Sequence, residues 1–582
     1  MRLDFDFIDA AGHAAPRRYE RPARVVVART LDDVLPAMRE VEVGVRDGLH
    51  AAGFVSYEAA PAFDAALVTR PPSSLPLLWF GLFAEPSTPD AGTRASEPMP
   101  HVTWTPDIAV TEHQAGVVEV RDAIARGDSY QANYTFRLHG QIPPSASHAL
   151  YSRLLRDQRP PYAAFIDIGA WQLLSLSPEL FFRVDGRRIS TRPMKGTAPR
   201  GLWNDDDEAQ AAWLHGSEKN RAENVMIVDL SRNDLSRIAE IGSVCARELF
   251  VVERYPTLFQ MVSDVEGVLR QDVSVADLFA ALFPAGSVTG APKTSSMKLI
   301  ASIETTSRDI YCGAMGYITP TGQAVFNVAI RTAAIDVATG HAAYGVGGGI
   351  TWDSAPADEY AEAIAKSECL VPREPFDLIE TMRFDGTHYV RLDRHLRRIR
   401  ASARYFDFAY DPAAIDRVLA DHANRHQGTS RRVRLHLEQG GHAEVESRPL
   451  ESPSAGPRPV ALARTAVDRR DRFLFHKTTR RVVYDAHRAS HPDVFDVLLW
   501  NQDNELTEFT IGNLVVEFDG ERRTPPREAG LLPGTFREEL LETGQISERV
   551  VTRADLARAT RLWLVNSLRE WVEVRLEESP RR

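Results

Sequence analysis

Two prolines within five residues, in VPREP at 371–375, end a helical run and divide the chain more firmly than any other feature. The sequence therefore reads as two folding units, 1–370 and 376–582, joined by a linker at 371–375. A length of 582 residues suits several domains, and 43% hydrophobic with 26% charged residues lets each part bury a core. Two further stretches rich in Pro and Ser, 84–100 (AEPSTPDAGTRASEPMP) and 449–459 (PLESPSAGPRP), read as a loop and a connector.

The net charge of −11 argues against a nucleic-acid partner, which would need a basic face. Six arginines crowd RLDRHLRRIRASAR at 391–404, but Leu392, Leu396, Ile399 and Ala403 line one helical face, so the arginines read as a solvated opposite face. The three cysteines, Cys245, Cys312 and Cys369, form no CxxC pair, which speaks against a disulfide framework or a structural zinc site and for a reducing compartment. The start, MRLDFDFIDAAGH, is acidic where a signal peptide is basic, and no apolar run approaches the roughly 18 residues that cross a bilayer. The expectation is a cytoplasmic protein with no membrane partner.

Between 163 and 350, β-rich runs alternate with turns and helices. AAFIDIG, WQLLSLS, LFFRVDG and RRISTRPMKG are predicted as successive strands. Helices are predicted over 217–232, with Ser217 as the cap, and over 357–370. On the second helix Glu359, Glu362 and Lys366 share one face at spacings of three and four. Carboxylates on two helices can hold magnesium, although ion pairs on the surface account for the same spacing. GVGGGI at 345–350 supplies backbone amides after a predicted strand, and GSVTGAPK at 286–293 reads as a polar turn ending in Lys293.

The strings SPELFF (177–182), RPMKGTAPRG (192–201), KNRAENVMIVDLSRNDL (219–235), FPAGSVTGAPK (283–293), YCGAMGYITPTG (311–322), FNVAIRT (326–332) and GVGGGITWDSAPADEYAEAIAK (345–366) follow one another in the order that marks the chorismate-utilising enzymes. GFVSYEAAPAFD (53–64) and LLWFGLF (77–83) resemble the opening of their aminodeoxychorismate synthase component I branch. This resemblance implies an α+β domain built on a β-sandwich with surrounding helices. It implies magnesium held by Glu223 and Glu362, with Glu359 beside them, Lys366 on the same face, and chorismate bound by Tyr311, Arg331 and the amides of Gly347, Gly348 and Gly349. Lys195, in PMKGT, stands where anthranilate synthases usually carry Ala; as an amine at C2 of chorismate it would split one difficult displacement into two. Glu179, in SPEL, matches the acid that exchanges its protons. Gln260 and Asn220 depart from relatives that carry His and an acid there. No cysteine lies in a glutaminase-like turn, so ammonia is expected from solution or from a separate glutamine amidotransferase subunit.

In 376–582, Lys477 in FLFHKTTRRVVYD, the acidic ELTEFTIGNLVVEF and the turn TPPREAGLLPGTFR together resemble the fold-type IV enzymes that use pyridoxal phosphate. The resemblance implies a domain of two subdomains in which Lys477 holds the cofactor and moves protons, and Glu508 pairs with its ring nitrogen. Arg398, Gly534, Thr535 and Ser567 would hold its phosphate, Thr381 would face substrate, and a homodimer through this domain is allowed. The fusion itself points to aminodeoxychorismate lyase, hence to 4-aminobenzoate formation. Alternatives are an anthranilate or isochorismate synthase-like domain joined to a D-amino acid or branched-chain aminotransferase, or a silent module that senses chorismate or binds a glutaminase.

Overall fold

The computed structural model describes residues 1–87, 102–372, 374–450 and 456–577. Most of the expected 84–100 loop, and 451–455 of the expected connector, lie outside the described residues. The chain forms two compact units: Met1–Pro199 with Ala211–Arg373, and Arg200–Gln210 with Glu374–Arg582. Among the described residues, no helix is long and apolar enough to cross a membrane.

In the first unit two nine-stranded antiparallel sheets are the main architecture among the described residues. Arg2–Phe7 shows why they stack: Leu3, Phe5 and Phe7 alternate with Asp4 and Asp6, so one edge of the period-two pattern is apolar. Those side chains meet Phe54, Trp79, Met315 and Tyr317 of the other sheet in a shared core. The outer face of each sheet is covered by helices: Val34 and Met38 of Leu31–Arg46 pack with Phe80 and Phe326, and Leu150 and Leu154 of Ser147–Gln158 with Phe165. The expected sandwich with surrounding helices is thus present.

The expected strands appear as Tyr162–Asp167, Trp171–Ser177 and Leu180–Asp185. RRISTRPMKG is not one strand. Pro193 cannot donate to a ladder, and the run splits there into Arg188–Arg192 in a large sheet and Met194–Pro199 in a separate three-stranded sheet with Leu258–Val262 and Val251–Arg254. The helix predicted over 217–232 runs Glu218–Ser236, capped by the Ser217 side chain accepting from Asn220 N. That predicted over 357–370 is an α-helix only over Pro356–Ala365 and continues as a 3₁₀ turn through Leu370.

The second unit carries a three-stranded antiparallel sheet, Leu378–Phe384, Arg431–Leu437 and Ala443–Pro449, whose apolar face packs on Leu392–Phe406 and Pro412–Arg425. A mixed eight-stranded sheet with its own core follows. Residues 200–210 belong to this unit: the Tyr405 hydroxyl donates to Gly201 O (2.6 Å), Asn204 Nδ2 donates to Ala401 O (2.8 Å), and Trp203 packs against Phe475. The arginine-rich helix bears out the expected solvated basic face in part: Arg397, Arg400 and Arg404 are exposed, whereas Arg391, Arg394 and Arg398 are drawn into ion pairs. Arg391 pairs with Glu539 and Glu570, Arg394 with Glu538 and Glu542, and Arg398 with Glu380, because acidic residues of neighbouring elements face them.

Candidate active sites

Lys195 lies on Met194–Pro199, where the ladder with Leu258–Val262 shifts register between Met194 and Thr197. Gly196 adopts φ +97°, a bulge conformation that side-chain-bearing residues avoid, and a Cβ there would crowd Asn220. Two amides fix the bulge: Gln260 Nε2 donates to Gly196 O (2.8 Å) and Asn224 Nδ2 to Lys195 O (3.2 Å). The Lys195 side chain lines a cavity of about 410 Å³. Burial pushes its amine below the ordinary lysine range against the pull of Glu223, and Lys366 adds to that push.

Glu179, buried between two strands, lines the same cavity. Burial raises its carboxyl to about 7, although Ser287 Oγ donates to it at 2.6 Å. Glu223, Glu359, Glu362, Lys366, Tyr311, Arg331 and Gly347–Gly349 also line this cavity, so every residue proposed for the first site converges there. The Glu362–Lys366 pair does form (2.9 Å), and Lys366 Nζ also donates to Gly347 O (2.8 Å), so an i,i+4 ion pair and a cavity wall are the same residues. Tyr311 is buried with the Arg137 guanidinium over its ring (5.1 Å); burial raises its hydroxyl far above the ordinary range, keeping it a donor.

The glycines are not a turn after a strand but part of the strand His341–Ile350. Along one edge it pairs with Gln131–Gln141 throughout, from His341↔Gln141 to Ile350↔Ala132. Along the other it pairs with Thr332–Asp336 only as far as Tyr344. Beyond Tyr344 that second edge has no strand partner among the described residues, which leaves alternate amides of 345–350 for a ligand. Gly349 matters further, because a Cβ there would collide with Lys195 Nζ and the Gln131 amide.

Sequence reasoning missed Gln131, Asn224 and Ser287. The fully buried Gln131 side chain has neither amide atom partnered among the described residues, an unusual state at so dry a place. Among the described residues no group of three or more His, Cys, Asp or Glu forms a metal set. Glu223 and Glu362 nonetheless fit magnesium, which accepts few protein carboxylates and completes its shell with substrate and water oxygens.

The second cavity, of about 440 Å³, lies wholly in the second unit. Lys477, Glu508, Arg398, Thr381, Gly534, Thr535 and Ser567 all line it. Lys477 is anchored through its backbone: its carbonyl accepts from Ile379 N (3.0 Å), and Thr478 bridges to Leu378. Burial, with the Arg398 charge, lowers its amine to about 7. Glu508 accepts from the Tyr484 hydroxyl (2.8 Å), Leu532 N (3.2 Å) and Asn513 Nδ2 (3.2 Å), yet burial still raises its carboxyl to about 8. Such a carboxyl has room for one more cationic partner, as a protonated pyridine nitrogen would be. Gly534 caps the helix Thr535–Glu542 and, with Thr535, lines the cavity; a Cβ on it would strike Asn513 Oδ1, so this close approach needs glycine. These residues fit pyridoxal phosphate.

Arg398 is held by residues the sequence reading passed over. Glu380, fully buried, accepts from Arg398 Nε (2.8 Å) and Nη2 (2.6 Å) and bonds His395 Nδ1 (2.7 Å), while His395 Nε2 reaches Ser567 Oγ (2.8 Å). Burial alone would raise Glu380, but Arg398 and His395 outweigh it and hold the carboxyl at about 2. Arg432, Arg434 and Arg448 add a guanidinium-rich wall from the three-stranded sheet. On adjacent strands Thr381 stands opposite Arg434, and Arg434 opposite Glu446, 3.6 Å from its guanidinium.

A sandwich with an open strand edge and helix-borne carboxylates on one cavity is the setting in which the chorismate binding enzyme family enters. Residues 9–372 match that family, and the chain belongs to it; residues 377–576 match the amino-transferase class IV family. Aminodeoxychorismate synthase of Streptomyces griseus is 40% identical over 298 residues, half of this chain and 41% of that protein. Aminodeoxychorismate synthase component 1 of Escherichia coli is 38% identical over 263 residues, 45% of this chain and 57% of that one. Anthranilate synthase component 1 of Methanothermobacter thermautotrophicus is 35% identical over 342 residues, 54% of this chain and 72% of that one. The chain thus spans about half the length of the first two relatives.

Proposed function

We propose that the chain forms 4-aminobenzoate from chorismate in two steps, the first at Lys195 and the second at Lys477. The observation that carries this reading is a lysine amine held below its ordinary range in each of two cavities, one beside a buried acid and open glycine edge, the other beside Glu508 and Arg398.

At the first site the Lys195 amine adds to C2 of chorismate as the ring double bonds shift. The C4 hydroxyl takes one amine proton, by way of Glu179, and leaves as water. Ammonia then forms the C4–N bond, the double bonds shift back and the C2–N bond breaks. One proton of the incoming nitrogen returns through Glu179 to the lysine, giving 4-amino-4-deoxychorismate. Magnesium, when bound by Glu223 and Glu362, supplies positive charge against the ring carboxylate. Tyr311, Arg331 and the free amides of the glycine strand hold the pyruvyl carboxylate. The naming of relatives as component 1 supports a separate glutamine amidotransferase as the source of ammonia.

At the second site pyridoxal phosphate, when bound, supplies an electron sink at the carbon bearing the amine. Arg398, Gly534, Thr535 and Ser567 grip its phosphate end. The neutral Lys477 amine removes the C4 proton and returns it to the departing enolpyruvyl group, which leaves as pyruvate while the ring becomes aromatic. Arg432, Arg434 and Arg448 suit the carboxylates of this intermediate.

The test supplies the protein with chorismate, magnesium, ammonium and pyridoxal phosphate and identifies the aromatic product by mass and ring position. A para-aminated benzoate together with pyruvate is expected. Anthranilate, or no aromatic product, overturns the reading.

A further inference from the structure

Glu179 and Ser287 border not one cavity but two. Beyond the chorismate-sized space lies an adjoining cavity of only about 30 Å³, walled by Thr191, Ser231 and Asp234 besides Glu179 and Ser287. That volume suits a water-sized molecule and is far too small for chorismate. Its polar groups come from four separate elements of the first unit: Thr191 from Arg188–Arg192, Ser231 and Asp234 from Glu218–Ser236, Ser287 from the GSVTGAPK turn, and Glu179 from the link between two strands.

Most of these groups already have partners. Ser231 Oγ donates to Ile227 O (2.9 Å), and Lys293 Nζ donates to Asp234 (2.8 Å), neutralising it. Thr191 differs. It is 8% exposed and its hydroxyl has no partner among the described residues, a costly state unless something small occupies the space beside it. Ser231 and Gly286 are half-buried whereas Glu179 and Thr191 are buried, so the wall runs from near the surface to the acid.

We propose that this small cavity is the entry site for ammonia, which is held by the Thr191 hydroxyl and passed by way of Glu179 to the carbon being aminated. The proposal rests on the reading of the first site as an aminating one. A port separate from the main cavity lets the nitrogen enter while chorismate fills the larger space. Its size suits ammonia, and the Thr191 hydroxyl and Glu179 carboxylate supply acceptors for N–H groups. The GSVTGAPK string thereby gains a role as one wall of the port, with Lys293 cancelling a charge that would otherwise trap ammonium.

The experiment measures amination of chorismate by the full chain, with magnesium and without glutamine, while ammonium chloride and chorismate are varied in turn. Ser231→Leu fills the small cavity and Thr191→Val removes the orphaned hydroxyl at constant volume. Ser231→Leu is expected to raise the KM for ammonium at least tenfold and Thr191→Val about threefold, with the KM for chorismate within twofold of wild type in both. Mass spectrometry of the Lys195 peptide with ammonium omitted is expected to show wild-type labelling by chorismate, which separates blocked ammonia from a damaged main site. An unchanged ammonium KM in both folded variants overturns the port and leaves a structural water site. Should Ser231→Leu fail to fold, an unchanged ammonium KM in Thr191→Val alone overturns it. Absence of any para-aminated product from the wild type is a different failure, that of the aminating reading itself, and the port falls with it.

Discussion

The Lys195 amine rests against Gly349, in the space that the Cβ of any other residue would fill. A methyl group at 349 would meet two side chains, the Lys195 amine and the fully buried Gln131 amide, and no backbone, so it displaces the amine and crowds Gln131. Gly349→Ala is therefore expected to fold with thermal stability lowered by about 1–3 kcal/mol of overpacking at Gln131, while amination of chorismate falls about 10²-fold, the usual cost of misplacing a reacting group by about 1 Å. Circular dichroism and initial rates check the two halves of this expectation.

Burial raises the Glu179 carboxyl to about 7, so its protonation changes near neutrality. The carboxylate form accepts protons and dominates above that value. Formation of the lysine adduct in a single turnover should thus accelerate as pH rises through about 7. Glu179→Gln should slow the step by roughly 10²–10⁴-fold and remove this inflection. Stopped-flow measurement from pH 6 to 8 reads both.

Lys477→Ala should abolish the visible absorbance of bound pyridoxal phosphate. In the wild type the neutral amine is the form that captures the cofactor aldehyde, and with its pKa lowered to about 7 that form grows as pH rises from 6 to 8. Reconstitution of the cofactor-free protein should accelerate over that interval and level off above it, as followed by the absorbance of the bound cofactor.

Glu380 should link the second cavity to stability. Its pKa is about 2 when folded against an ordinary 4.5, so its stabilising effect is complete above pH 4.5 and is lost as pH falls towards 2. Glu380→Gln should cost on the order of 3 kcal/mol near neutrality, through the unpaired Arg398 and His395, and should flatten the acid limb of stability between pH 4.5 and 2. Urea melts of both proteins at pH 7 and at pH 3 measure this.

The sequence made the architecture and most of the two site linings legible because ordered strings such as SPELFF, RPMKGTAPRG and GVGGGITWD carry side-chain chemistry at fixed spacings. It was silent where the deciding fact is three-dimensional. That GVGGGI lies inside a strand with one free edge depends on Thr332–Asp336 ceasing to pair at Tyr344. Gln131 opens a strand of mixed polar and apolar residues, Gln131–Gln141, and only its burial without partners marks it. Glu380 reads as one polar residue of an alternating strand until Arg398 and His395 arrive from a helix. Residues 200–210 have no composition that would announce their packing against Tyr405 and Phe475. The split of RRISTRPMKG followed from a single proline, a signal present in the sequence but outweighed by the β-rich residues around it.

On the proposed function, the Lys195 amine bonds to the ring it aminates. Incubating the protein with chorismate and magnesium, ammonium omitted, and weighing the peptide that contains Lys195 tests it most directly. The expected gain equals chorismate less one water, absent from Lys195→Ala and lost when ammonium is added. An unmodified peptide from protein that goes on to aminate chorismate at the para position once ammonium is supplied would contradict it.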